Sequence, residues 1–136
     1  MFKFENKIRV RYADTDQMGY MYYGNYATFY EVARTDMLRS TGISYKDLEK
    51  MGVMMPVVNL ECNYKKPAFY DELIRIETVI REKPSVKIKF EYSLYNEKDE
   101  LINTGSTILV FVDMKTGRPC HPPALFTDKI KQYFEN

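Results

Sequence analysis

Two aspartates, Asp14 and Asp16, lie two positions apart in residues 13–25, a stretch that is rich in Asp, Gly and Asn. Residues of this kind disfavour regular structure and often precede the start of a helix. A carboxylate in such a loop can act as a general base that activates water, or as a nucleophile that attacks an electrophilic carbon. We expect Asp14 to bond amides of the loop itself. A pair of carboxylates this close also favours a functional site.

The motifs of several other enzyme classes are missing from the sequence. It contains no GxSxG elbow, P-loop, GxGxxG or HExxH, which excludes serine hydrolases of that type, NTPases, dinucleotide enzymes and zincins. Histidine occurs once, as His121 in Cys-His-Pro-Pro, and we assign it no chemistry. Cys62 and Cys120 lack the spacing of a zinc site, so we expect free thiols and no metal.

Length and charge limit the class of protein. The chain has 136 residues, of which 45% are hydrophobic, so we predict a single domain over residues 1–136 with its own core. Its formal net charge of +1 offers no broad attraction to nucleic acid or to an anionic membrane, and we expect neither partner. Aromatic residues are dense between residues 12 and 30, which indicates a lined pocket or a dimer seam.

The sequence also predicts where the protein works. The first ten residues mix charges with aromatics and lack the apolar stretch of a secretory signal. The longest charge-free runs, residues 17–30 and 101–112, are shorter than the ~20 apolar residues that cross a bilayer. We therefore expect a cytoplasmic protein that does not insert into a membrane.

A strand and a long helix are predicted on either side of the loop. In residues 2–12, apolar and charged residues largely alternate, which is the period of a half-buried strand. Asn25 is a candidate N-cap. Beyond it, apolar residues recur at helical spacing, and Gly42 follows as a stop signal. The residues with this helical spacing are Tyr26, Tyr30, Ala33 and Met37.

The remainder of the chain predicts a short helix and then a series of strands. Ser44 and Asp47 have the spacing of a capping box, which predicts a helix ending near Gly52. Alternating hydrophobicity predicts strands over residues 58–65, 74–80, 86–94 and 101–112, and residues 124–134 predict a terminal helix. The last strand is the most apolar and is expected at the sheet centre. This order indicates an α+β fold, an antiparallel sheet with the long helix on one face.

From Tyr12 to Arg34 the sequence reads YADTDQMGYMYYGNYATFYEVAR. It resembles the opening tract of the YbgC and 4-hydroxybenzoyl-CoA thioesterase group of hotdog proteins. The matching positions are Tyr12, Asp14, Thr15, Asp16, Gly19, Tyr26, Tyr30, Glu31, Ala33 and Arg34. A later segment is also similar to that group, so the resemblance spans most of the chain. Its matching positions are Tyr64, Pro67, Ala68, Asp71 and Glu72.

The resemblance implies the hotdog fold, a curved antiparallel sheet of about five strands wrapped around one long central helix. It implies hydrolysis of an acyl thioester, either acyl-CoA or an acyl-carrier protein, to free acid and thiol. By position, Asp16 matches the catalytic carboxylate of the group, and the backbone N–H of Tyr23 matches its oxyanion donor. Gly19 would let the chain bend close to the substrate. In hotdog families the pocket lies between two protomers, so a homodimer or homotetramer is expected.

The chemistry of a thioester agrees with this assignment. Its carbonyl is poorly stabilised by resonance and its thiolate leaves readily, so one carboxylate can suffice as general base or nucleophile. The developing oxyanion needs hydrogen-bond donors. Backbone N–H groups at a helix N-terminus can serve as these donors, and the helix dipole there also favours negative charge. No cofactor is expected, because coenzyme A enters as part of the substrate.

Six further residues are candidates for substrate binding. Lysines suit the phosphates of coenzyme A, whereas Glu31 could instead stabilise the helix start through the helix dipole. Arg34 is expected to form a salt bridge rather than to touch the substrate. The six candidates are Tyr20, Tyr26, Glu31, Asn59, Lys83 and Lys87.

Two alternative functions remain open on sequence grounds. A non-catalytic module that binds acyl thioesters could keep the fold and the pocket without turnover. A hotdog dehydratase or hydratase would, in related families, use a histidine paired with an acid in the pocket, and this sequence has no histidine near the loop.

Overall fold

Five strands form one antiparallel sheet in the computed structural model, which describes residues 1–135. In chain order these strands are β1 (Phe2–Arg9), β3 (Val57–Tyr64), β4 (Leu73–Ile80), β5 (Lys87–Tyr95) and β6 (Leu101–Val110), and they lie side by side in the order β1-β4-β5-β6-β3. Two short strands, β2 (Val53–Met54) and β7 (Val112–Asp113), pair separately. The predicted α+β class is confirmed.

Three helices accompany the sheet. They are α1 (Tyr26–Arg39), α2 (Tyr45–Lys50) and α3 (Ala124–Ile130), and 3₁₀ turns occur at Tyr12–Asp14, Tyr23–Asn25 and Lys131–Tyr133. No helix in residues 1–135 is both long enough and apolar enough to span a membrane. The long helix α1 follows the loop directly, as predicted.

The core lies between α1 and one face of the sheet. Helical spacing places seven residues of α1 in the interior, namely Tyr26, Phe29, Tyr30, Ala33, Arg34, Met37 and Leu38. The ring of Tyr30 stacks on that of Tyr92 in β5, with centroids 4.2 Å apart. On the sheet side, strand alternation buries Ile74, Ile76 and Ile80 of β4. Burial of these large side chains holds α1, and therefore its N-terminus, against the sheet.

The ends of the first two helices follow the sequence signals. After α1 ends at Arg39, the chain reverses through Gly42, whose φ of +92° suits glycine. The capping box is present, because the Ser44 side chain accepts from the backbone N–H of Asp47 and the Asp47 carboxylate accepts from that of Ser44.

Three predicted boundaries or positions are wrong. β1 ends at Arg9 rather than near residue 12, because the chain turns into the 3₁₀ turn Tyr12–Asp14. β6 is an interior strand, but β5 occupies the middle of the sheet. An apolar run indicates a strand with a hydrogen-bonded neighbour on each side. A strand in the second position from the edge of the sheet also has two such neighbours. The terminal α-helix stops at Ile130 and continues as a 3₁₀ turn.

β3 departs most from its predicted burial. Alternation in residues 58–65 predicts one buried face, yet Val58, Leu60 and Tyr64 are 56%, 48% and 54% exposed. β3 pairs with β6 on one side and forms the edge of the sheet on the other. Its inward face is therefore left largely uncovered, with Cys62 half-buried.

Candidate active site

A cleft of about 370 Å³ opens where the loop meets the start of α1 and the end of β3. Its lining contains Asp16, four tyrosines, two methionines and two lysines. Three separate parts of the chain meet here: the loop, the helix start and the segment that follows β3. The cleft is thus mostly aromatic and apolar, with a carboxylate in its wall. The remaining lining residues are Met18, Tyr20, Met21, Tyr23, Tyr26, Tyr64, Lys65, Lys66 and Pro67.

Asp16 is held at the head of a tight turn. Its Oδ1 accepts the backbone N–H of Met18 at 2.8 Å, and its own N–H donates to the carbonyl of Tyr20 at 3.1 Å. The N–H of Gly19 donates to the carbonyl of Asp16 at 3.0 Å, closing the turn. Within residues 1–135, Oδ2 of Asp16 accepts no hydrogen bond. The side chain is half-buried and keeps one oxygen available for water or substrate.

Gly19 supports the loop through its backbone conformation. Its φ is +85°, which side chains rarely tolerate, and a Cβ built there meets no atom within 4 Å. Gly19 does not line the cleft. Its geometric contribution is therefore the turn that presents Asp16, and close approach to a substrate stays a prediction.

Asp14 has a different environment from Asp16. It is 4% exposed, and its Oδ2 accepts both the backbone N–H of Arg11, at 2.9 Å, and the Nε of that residue, at 3.2 Å. Burial alone would raise the pKa of Asp14, but the hydrogen bonds and the charge of Arg11 outweigh it and lower the pKa. Asp14 therefore bonds its own loop, as its position in the sequence predicts.

The helix start has two unpaired amides, one of which belongs to Tyr23, a residue that lines the cleft. The 3₁₀ turn Tyr23–Asn25 runs directly into α1. Among the described residues, the backbone N–H groups of Tyr23 and Gly24 have no hydrogen-bond partner, as expected for the first turn of a helix. The dipole of α1 adds partial positive charge at the same end. An anionic oxygen would be stabilised there.

Asn25 occupies the predicted N-cap position without capping the helix through its side chain. Its Nδ2 donates instead to the backbone carbonyl of Asp14 at 2.9 Å, and the N–H of Tyr22 donates to that carbonyl at the same distance. The two bonds tie the loop to the helix start. The prediction of a side-chain cap is wrong, because Asn25 has helical φ and ψ and its amide faces the loop.

Three tyrosines form one aromatic wall of the cleft. Tyr64 packs edge-on against Tyr26, with centroids 5.2 Å apart, and against Tyr23, at 6.4 Å. Tyr26 is 3% exposed, and burial raises its pKa to about 12. Tyr20, another predicted contact, also lines the cleft, and its ring packs edge-on against Phe69. The predicted Tyr20 and Tyr26 thus share the cleft with Asp16 and Tyr23.

Other candidate binding residues lie elsewhere. Lys83 and Lys87 line a second, more polar cleft of about 410 Å³. Glu31 is exposed on α1 and Asn59 is exposed on β3, and neither lines the cleft beside Asp16. A role in substrate binding for these four residues stays a prediction.

Sequence reasoning about the site missed Met18 and Met21, which line the cleft. Among the lysines, which suit the phosphates of coenzyme A, Lys65 and Lys66 line the cleft beside Asp16, whereas Lys83 and Lys87 do not. Lys66 forms an ion pair with Glu100. Tyr64 and Pro67 could have been found, since they belong to the second segment that resembles the thioesterase group.

Arg34 is buried without an ionic partner. It is 8% exposed, and within residues 1–135 it makes no salt bridge. The hydroxyl groups of Tyr45 and Tyr92 are its polar neighbours. The predicted salt bridge is wrong because α1 turns this side chain towards the tyrosines of the core rather than towards a carboxylate.

Comparison with known proteins identifies the family. The family model described as the Thioesterase-like superfamily matches residues 10–130. The putative acyl-CoA thioesterase YneP of Bacillus subtilis is 37% identical over 124 residues, covering 91% of this chain and 90% of that protein. The acyl-CoA thioester hydrolase YbgC of Escherichia coli is 32% identical over 125 residues, covering 92% and 93%.

A solved structure agrees with these relatives. The DHNA-CoA thioesterase from Staphylococcus aureus is 40% identical, with a TM-score of 0.90 over 98% of this chain and 90% of that one. The five-stranded antiparallel sheet and the long helix are those of the hotdog fold that the resemblance implied. On the family match, the identities and the shared fold, this chain belongs to the Thioesterase-like superfamily.

Proposed function

We propose that this protein hydrolyses acyl-CoA thioesters and that Asp16 is the carboxylate responsible. The observation that supports this most directly is the shared location of two groups. Asp16 and the residue with an unpaired amide at the start of α1, Tyr23, line the same cleft. The relatives YneP and YbgC carry the name of this activity and match about nine-tenths of the chain.

The proposed reaction uses only groups of the chain and water. The thioester carbonyl lies over the start of α1, where the amides of Tyr23 and Gly24 stabilise the oxyanion that forms. Asp16 either removes a proton from the attacking water or attacks the carbonyl itself to give an anhydride that water then opens. In the first route the C–S bond breaks after water has added, and the acid and the thiolate of coenzyme A are released. In the second route the C–S bond breaks as the anhydride forms, the thiolate leaves, and water then releases the acid.

The acyl group is proposed to run between the aromatic side chains of the cleft. Tyr20, Tyr26 and Tyr64 offer flat apolar surfaces with polar edges. For the carrier we favour coenzyme A, whose phosphates suit Lys65 and Lys66 at the same cleft. DHNA-CoA, which the name of the Staphylococcus aureus relative gives as substrate, belongs in the substrate panel.

We propose a homodimer as the minimal assembly, with a homotetramer as an extension of it. The free edge of β3 and its exposed Val58 and Leu60 support this, since a soluble monomer seldom leaves such a strand uncovered. Tyr64, at the end of the same strand, lines the cleft. A partner seated on β3 would therefore reach the cleft. A cytoplasmic location is part of the proposal, and the two free cysteines agree with it.

A thiol-release assay with wild type and Asp16→Asn tests the proposal. We expect kcat to fall by about 10²–10⁴-fold, the usual contribution of a positioned acid or base. The substrates are acyl-CoA esters of several chain lengths, DHNA-CoA and an acyl-carrier protein. Asp128→Asn is the matched control, because Asp128 is exposed on α3 and has no hydrogen-bond partner among the described residues.

Each outcome separates the possible functions. Equal release by wild type and Asp16→Asn would contradict the role of Asp16 while leaving the thioesterase activity intact. If neither protein released thiol from any substrate but wild type bound acyl-CoA, the chain would be a binding module. Addition of water to an enoyl-CoA without thiol release would indicate a hydratase.

A further inference from the structure

We propose that Tyr64 is a positioning residue for the amides at the start of α1, an inference that rests on the proposed function. Its hydroxyl donates to the backbone carbonyl of Tyr23 at 3.1 Å, across 41 positions of sequence. This is the hydrogen bond by which the end of β3 holds the turn that leads into the helix. The role goes beyond lining the cleft, because it acts on the backbone of the oxyanion donors.

The geometry of the peptide unit gives this bond its effect. A peptide is planar and trans, so the carbonyl of Tyr23 and the N–H of Gly24 belong to one rigid plane and point in opposite directions. A hydroxyl that fixes this carbonyl also fixes the direction of the Gly24 amide. The N–H of Tyr23 belongs to the preceding peptide, whose carbonyl, that of Tyr22, accepts the N–H of Asn25. The amides of Tyr23 and Gly24 both lack hydrogen-bond partners among residues 1–135.

Two backbone hydrogen bonds tie this turn to the loop. The N–H of Asn25 donates to the carbonyl of Tyr22 at 3.0 Å, and the N–H of Tyr22 donates to that of Asp14 at 2.9 Å. Both bonds lie on the loop side. The bond from Tyr64 to the carbonyl of Tyr23 ties the same turn to β3. A 3₁₀ turn has weaker hydrogen bonds than an α-helix, so an outside donor changes its orientation more readily.

Tyr64 is itself firmly held. Its backbone pairs with Asn103 of β6, and the next two amides, of Lys65 and Lys66, donate to the carbonyl of Ile102 at 3.0 and 3.1 Å. Its ring packs edge-on against Tyr23 and Tyr26. Cys62 beside it and partial burial raise the pKa of Tyr64 to about 12. The hydroxyl therefore keeps its proton, and with it the ability to donate, across the neutral range.

Removal of the hydroxyl alone tests the role. In Tyr64→Phe we expect kcat for acyl-CoA hydrolysis to fall about tenfold, since a small displacement of oxyanion donors slows the chemical step. We expect KM, and the Kd of a non-hydrolysable thioether analogue of acyl-CoA, to stay within about twofold, because these report ground-state binding. Tyr70→Phe is the control: Tyr70 is 57% exposed, lies outside the cleft and donates no hydrogen bond in the described chain.

Three results would overturn the inference. The first is a Tyr64→Phe enzyme with the kcat of wild type. The second is a rise in KM and in the analogue Kd at constant kcat, which would make Tyr64 a substrate ligand. The third is a fall in melting temperature that accounts for the lost rate when activity is corrected for folded protein, which would make its role packing. Asp16→Asn in the same assay separates these results from failure of the proposed function.

Discussion

At the level of single residues, the two aspartates of the loop differ in burial, and they have different roles for that reason. Arg11 donates both backbone and side-chain hydrogen bonds to Asp14, whose carboxylate is buried. Asp16 accepts one amide and has an oxygen that no described residue occupies. The first carboxylate therefore shapes the loop, and the second is placed to meet a substrate.

Replacement of Asp14 has a pH-dependent effect on stability. In Asp14→Asn we expect the free energy of unfolding at pH 7 to fall by about 1.5–3 kcal/mol, the usual contribution of hydrogen bonds to a charged group. The pKa of Asp14 in the folded protein lies below its ordinary value of 3.8. Its stabilising contribution is therefore complete above about pH 5, and is lost as the pH falls through the folded-state pKa.

Urea unfolding between pH 7 and pH 3 measures this difference. The gap between wild type and Asp14→Asn should narrow below about pH 4, whereas Asp128→Asn, in an exposed position, should match wild type throughout. A difference in the free energy of unfolding that stays constant down to pH 3 would show that ionised Asp14 stabilises the fold no more than protonated Asp14 does.

Between elements, a close approach of α1 to β6 fixes how the helix sits on the sheet. Tyr30 of α1 lies over Gly105 of β6, and its hydroxyl bonds the buried side chain of Asn103. The Sγ of Cys62 lies 3.4 Å from the same hydroxyl. A glycine is needed at this point of the strand because the phenol occupies the space of a side chain. This contact sets the distance between α1 and the sheet. It therefore also sets where the first turn of α1 lies relative to β3.

A methyl group at Gly105 tests this close approach. A Cβ there would lie 2.6 Å from the carbonyl oxygen of Glu61 and would also collide with the hydroxyl of Tyr30. We expect Gly105→Ala to destabilise the protein by about 2–3 kcal/mol through overpacking. Chemical denaturation measures the change, with Thr104→Ala as the control for alanine in the same strand. Equal stability of Gly105→Ala and wild type would mean that β6 and α1 can move apart enough for the methyl group without loss of folding free energy.

At the level of the whole molecule, the two edges of the sheet differ, and packing within one chain leaves the apolar residues of the β3 edge uncovered. β1 forms the other edge, and its outward residues are charged, as in Lys3 and Glu5. β3 instead exposes Val58, Leu60 and Tyr64 beside the cleft. Charged edges resist pairing with other chains, whereas apolar edges favour it. The asymmetry between the two edges supports assembly through β3.

A charge on β3 tests the proposed assembly. We expect Leu60→Glu to shift the protein from dimer to monomer in size-exclusion chromatography with light scattering, because the carboxylate would be buried without a partner in the interface. Lys3→Glu places the same side chain on the opposite edge and should leave the mass unchanged. A dimer that persists in Leu60→Glu at micromolar concentration would exclude β3 from the interface.

Much of the fold could be predicted because its signals are local. Helical spacing from Tyr26 onwards, the capping box at Ser44 and period-two alternation in the later strands each depend on neighbours in sequence. The residues at which these elements begin and end were less predictable. β1 stops at Arg9 because Asp14 bonds Arg11 and turns the chain, and no alternation of apolar residues reports such a bond.

The sequence by itself determined the long helix, the five main strands, the loop with its two aspartates, and the resemblance that pointed to Asp16 and Tyr23. Only the tertiary structure decided which residues share the cleft and which strand lies open. Lys65, Lys66 and the hydroxyl of Tyr64 reach the loop across some 40 positions of chain, and the exposure of β3 follows from its place in the sheet order. Both depend on how strands pair over long distances, and the physical reason is that pairing is selected by the packing of the whole core rather than by any local pattern.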